Sequence, residues 1–143
     1  MITHSVSQNE CTSEFAGRPA RDLQLYAAVC LEVYCKWKGF SHPSIDQLIK
    51  HLNDYPLNNE LPAWERRGAS LPLNGRGDEI PHDLVVLISP KSIDEFSAVV
   101  ESVVEVGLVD MHGAATDLPF IFLNKVISIL RCNNIDLPPS VGD

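Results

Sequence analysis

The sequence predicts a mainly α fold: a single-domain bundle of four principal helices with a long irregular central loop. Three observations lead there. The segment TDLPFIFLNKVISILRC, residues 116–132, crowds eight large apolar residues into eleven positions. Its polar residues Asp117, Asn124, Ser128 and Arg131 fall on one thin strip of a helix turning about 100° per residue. Two further segments, 19–38 and 92–106, repeat apolar residues at spacings of three and four. Only one stretch, DLVVLIS at 83–89, has strand character, and a lone strand has no ladder partner.

Residues 1–18 are polar and aperiodic, which predicts a flexible N-terminal segment ahead of a helical domain at 19–137 and a flexible tail at 138–143. The first helix is expected over 19–38, with Leu23, Tyr26, Cys30, Val33, Tyr34 and Trp37 facing inward and Gly39 closing it. Its aromatic stripe Tyr26, Tyr34, Trp37 is assigned to the core. The second helix, 43–54, has the apolar face Ile45, Leu48, Ile49, Leu52. Ser44 with Gln47 resembles a capping box there, with Ser41 as a rival cap.

Asn, Pro and Gly then punctuate a long irregular region, 55–81. Within it LPAWERRG reads as a short helix with Gly68 past its end. Leu61, Trp64, Leu71 and Leu73 would fold this region back onto the helices. For 83–89 a short helix after Pro81 is favoured, with a strand over 84–88 as the alternative. The next helix, 92–106, begins at a Ser92/Glu95 capping box and stops at Gly107. The last helix takes Thr116 as its cap and Pro119 in its first turn. Being apolar on nearly every other side, it belongs in the middle of the fold.

The net charge is −8, and it is uneven. Residues 1–77 carry eight acids and eight bases, whereas 78–143 carry eleven acids against Lys91, Lys125 and Arg131. That argues against direct nucleic-acid binding, which needs a basic surface, and allows a cationic protein partner. No segment is long and apolar enough for a membrane span. The opening MITHSVSQNECTSEF lacks the basic and apolar regions of an export signal, so a cytoplasmic location is expected. Cys11, Cys30, Cys35 and Cys132 form no CxxC pair, and no metal or other cofactor is expected. Cys30 and Cys132 are expected to be buried free thiols.

Asp94, Glu101 and Glu105 fall on one side of the 92–106 helix, opposite its apolar face and with no base on that helix beside them. Like charges at i, i+4 mildly destabilise a helix. The strip, extended by Asp110 and Asp117, is the first candidate partner-binding surface. The alternative surface is the central loop, through Trp64, Arg66, Arg67, Arg76 and Asp78. No catalytic residues are assigned; the alternatives to a binding protein of this kind are a small enzyme of unrecognised type, which would use Arg76 for an anion with His82 and His112, and an adaptor or scaffold domain. The RGD triplet at Arg76–Asp78 is explained by a Gly-rich turn.

The core helix LPFIFLNKVISIL, the acidic helix SIDEFSAVVESVVE, the small size and the acidic charge resemble those of bacterial immunity proteins that neutralise polymorphic or contact-dependent-inhibition toxins. The resemblance implies a cytoplasmic inhibitor that caps a toxin domain, often a cationic nuclease. It carries no individual functional residue over to this chain.

Overall fold

A computed structural model describes residues 18–55, 60–109 and 117–139. The described residues form six helices and no strand: α1 Ala20–Lys38, α2 Pro43–Asn53, α3 Leu61–Ala69, α4 His82–Val85, α5 Ile93–Leu108 and α6 Leu118–Cys132. The mainly helical class read from the sequence is therefore what the chain adopts, and the 83–89 stretch forms a helical turn. Among the described residues no helix is long and apolar enough to cross a membrane.

Helix α1 stops as its sequence requires. Gly39 adopts φ 79°, where a side chain would be strained. Its N–H donates to the Lys36 carbonyl, and the Phe40 N–H donates to that of Cys35 (2.8 Å), which closes a Schellman turn. The reversal drops Phe40 between Tyr34 and Phe96, with ring centroids 6.1 and 5.7 Å away. Phe40 thus takes the inward place expected for Trp37, which is 63% exposed.

Helix α2 is capped by a residue that the Ser-based expectations passed over. His42 Nδ1 accepts the Ser44 N–H at 3.0 Å. The imidazole therefore carries its proton on Nε2, which lies 3.0 Å from an Asp83 carboxylate oxygen. One side chain so caps α2 and holds the start of α4 against it.

The most extensive packing is between α5 and α6, with α1 lying against both. Asn133, just past α6, donates to Glu95 in the first turn of α5 (3.2 Å), so the two helices run antiparallel. Glu95 also accepts from the Tyr34 hydroxyl (2.9 Å) and lies 3.4 Å from the Lys38 ammonium. Its expected role in a capping box is thus replaced: Ser92 makes no side-chain cap, and Glu95 instead joins α1, α5 and the end of α6. Burial pushes its pKa up, but the bonds from Asn133 and Tyr34 and the Lys38 charge outweigh burial, so it ionises below the usual range.

The core is one apolar cluster to which all six helices contribute. Leu31, Tyr34, Val99, Val103, Leu123 and Leu130 are fully covered. Each such residue stabilises the fold by roughly 1.5–3 kcal/mol. Central as α6 is, its N-terminal turns leave Leu118 and Ile121 40% and 46% exposed. Cys132 is exposed and Cys35 is buried, contrary to the expectation that Cys132 would be a covered thiol. The chain turns at Asn134, which has φ 58°, and Ile135 fills the core beyond α6 in place of Cys132.

Two glycines expected as helix stops lie inside helices. Gly107 is in α5 because a side chain there would strike the amide of Gln24. Gln24 is fully buried, and its Nε2 donates to the Val103 carbonyl at 2.9 Å. Gly68 is in α3 for a similar reason: a Cβ there would lie 2.5 Å from His51 Nε2 and 2.7 Å from Arg76 Nη2. Past the last helix, the Tyr26 hydroxyl donates to the Pro138 carbonyl at 2.6 Å, which ties that segment to α1.

Candidate functional site

One asparagine closes the turn of the central loop that rests on α5. Asn74 is buried, and its Nδ2 donates to Asp78 (2.8 Å) and to the carbonyls of Ala69 and Leu71. Its Oδ1 accepts the Arg76 N–H at 2.9 Å. Gly75 takes φ 67° and lies so close to α5 that an added Cβ would sit 2.7 Å from a Val104 methyl. This turn brings Arg76 to the edge of α5, where its Nη1 pairs with Glu65 at 3.3 Å.

Between this turn, α5 and α6 runs an open groove of about 860 Å³. Ala98, Glu101, Ser102, Glu105 and Leu108 line it from α5, at the i, i+3/4, i+7, i+10 spacing of one helical face. Phe122, Lys125, Ser128 and Ile129 line it from α6, and Arg76 and Glu65 close the loop side. The Lys125 ammonium lies 4.7 Å from the centroid of the Phe122 ring.

The groove brings together two surfaces that the sequence presented as alternatives. Glu101 and Glu105 of the acidic strip share it with Arg76 of the loop surface. Asp94 is exposed near the start of α5 and Asp117 is exposed next to α6, and neither lines the groove. Asp110 and His112 lie outside the described residues. Arg66 and Arg67 are exposed on α3. Trp64 is 1% exposed and so is no part of a contact surface. Asp78 is engaged by Asn74, so the RGD triplet is a structural turn. His82 is exposed on α4 and does not line the groove with Arg76, while its neighbour Asp83 bonds to His42.

Behind Arg76 the imidazole of His51 is packed between Trp64 and Gly68. Burial, then the charges of Arg76 and Arg67, push its pKa down to about 4. His51 is thus a neutral packing group at ordinary pH. Cys30 and Cys35 are pushed up to about 12, chiefly by burial, and stay thiols. Among the described residues no three His, Cys, Asp or Glu side chains are grouped to hold a metal ion.

Sequence reasoning missed Glu65, Lys125, Ser102 and Ser128 as parts of the site. Phe122, Lys125 and Ser128/Ile129 do recur at three to four residues, a helix-face signal that was present in the sequence. Glu65 and Arg76 meet only through the turn at Asn74, which no periodicity reveals. Comparison of this chain with protein families, curated proteins and solved structures finds no match in any of the three.

Proposed function

We propose that this chain is a binding protein, of the kind represented by bacterial immunity proteins, that docks a cationic toxin domain through the groove along α5. The four longest helices then act as a small helical bundle that presents this face, in the cytoplasm of the cell it protects. One observation carries the reading. Glu101 and Glu105 stand one turn apart on the wall of a large open groove, and neither has an ion-pair partner among the described residues. The cationic side chains of the groove do not relieve them: Arg76 pairs with Glu65, and Lys125 lies over Phe122. Unpaired carboxylates on a protein of net charge −8 attract a basic partner and speed its encounter.

The test is protection. The domain encoded next to this chain is expressed in a sensitive bacterial strain with the wild-type protein or with Glu101→Lys/Glu105→Lys. Growth rescued by the wild type and lost with the double variant is the expected result. Failure of the wild type to rescue growth, or equal rescue by both, contradicts the proposal.

A further inference from the structure

We infer that the occupant of the groove is an amphipathic helix of the partner, carrying Lys or Arg at i and i+4 opposite Glu101 and Glu105 and an acidic residue on its flank toward Lys125. This inference rests on the docking reading above and adds the chemistry of the docked segment.

Four features point to a helix. The face of α5 from Ala98 to Leu108 spans eleven residues, and its ten steps of about 1.5 Å give a trough of about 15 Å, nearly three turns. Its lining includes the small side chains Ala98, Ser102 and Ser128, of which Ser102 is buried, and small residues let a second helix approach closely. Half-buried Phe122, beside the buried Leu108 at one end, supplies apolar surface for the non-polar face of such a helix. Finally, Glu101 and Glu105 are one turn apart, so their carboxylates match a pair of cations spaced by one turn on a helix lying alongside. An extended peptide has no comparable seat, because the described residues offer no sheet edge to which a strand could add.

Lys125 sets the polarity of the fit. It lies on the α6 wall, across the groove from the glutamates, and has no ion-pair partner among the described residues. A helix basic all round is repelled there, whereas one with a carboxylate on that flank is held. The groove therefore discriminates by arrangement of charge as well as by its sign.

The test uses synthetic helical peptides of about 20 residues, long enough for an alanine-rich sequence to hold a helix. One carries two lysines at i, i+4, the second has the same composition with the lysines at i, i+2, and the third adds to the first a glutamate on the opposite flank. Binding is followed by amide chemical shifts of the isotope-labelled protein at low salt. The expected result is shifts centred on Ser102, Glu105 and Ser128, with the i, i+4 peptide binding about tenfold tighter than its permuted version. The flanking glutamate tightens binding further, and Lys125→Glu reverses that preference. Ser128→Trp, at an exposed position that fills the trough, abolishes binding with both glutamates intact. Equal binding of the permuted peptide, shifts elsewhere, or no binding at all overturns the inference.

The adjacent-gene domain separates this failure from failure of the docking reading. A domain that binds Ser128→Trp but not Glu101→Lys/Glu105→Lys leaves the docking reading standing and removes the helix. A domain indifferent to both variants removes the docking reading itself.

Discussion

The indole of Trp64 lies flat against the imidazole of His51, with ring centroids 4.4 Å apart and planes 8° from parallel. The same indole donates its N–H to the His51 carbonyl at 2.8 Å. Tyr55 meets it edge-on at 5.0 Å. These contacts bind α3, and with it the base of the Arg76 turn, to the end of α2.

Stability should therefore depend on pH through His51. Its pKa is lowered to about 4 in the folded chain, so the unfolded chain takes up the proton first as pH falls. The stabilisation from the neutral imidazole is complete above the unfolded value of about 6.5 and is lost progressively between there and about 4. Thermal unfolding of the wild type should fall more steeply from pH 7 to pH 4.5 than that of His51→Gln. Parallel curves for the two proteins would mean that the imidazole gains nothing from being neutral in the fold.

The two tryptophans should behave oppositely. Trp64→Ala removes a fully buried ring and is expected to cost about 3–5 kcal/mol in urea denaturation. Trp37→Ala, at an exposed position, should stay within about 0.5 kcal/mol of the wild type. Acrylamide should quench the fluorescence of the Trp64→Phe protein efficiently and that of Trp37→Phe poorly. Equal quenching would place both rings in the same environment and contradict the packing of α3.

Gly107→Ala sets two effects against each other. Alanine favours a helix over glycine by about 1 kcal/mol. The added methyl, however, meets the fully buried Gln24 amide and lies 2.9 Å from the Tyr55 ring, and overpacking costs about 1–3 kcal/mol. A net loss of stability is expected, and it should shrink when Gln24→Ala makes room in the same protein. A stabilised single variant would show that α1 and α5 can separate at little cost.

The extent to which this fold could be read from the sequence follows from the range of the forces involved. The 3.6-residue period located α1, α2, α5 and α6, because burial of one face acts within a segment. The foldback of the central loop was also readable, since Leu61, Trp64, Leu71 and Leu73 have no reason to sit in solvent. Glycine was misread at 68 and 107, where it serves close approach of a distant side chain rather than termination. Glu95 satisfied a local capping pattern but is recruited by Tyr34 and Asn133, residues 61 and 38 positions away. On the groove, helix periodicity put Glu101 and Glu105 on one face. That Arg76 and Lys125 would face them depends on the Asn74 turn and on the antiparallel placement of α6, both of which are tertiary.

The central claim, that Glu101 and Glu105 dock a cationic partner, is tested most directly by association kinetics. The rate with the adjacent-gene domain is measured across a salt series, for the wild type and for Glu101→Lys/Glu105→Lys. Raising salt from 0.1 M to 1 M shortens the Debye length from about 10 Å to about 3 Å, which removes long-range steering. Wild-type association should be fast at low salt and slow steeply as salt rises, while the double variant should associate more slowly with a flatter dependence. Identical rates and identical salt slopes for the two proteins would contradict the claim.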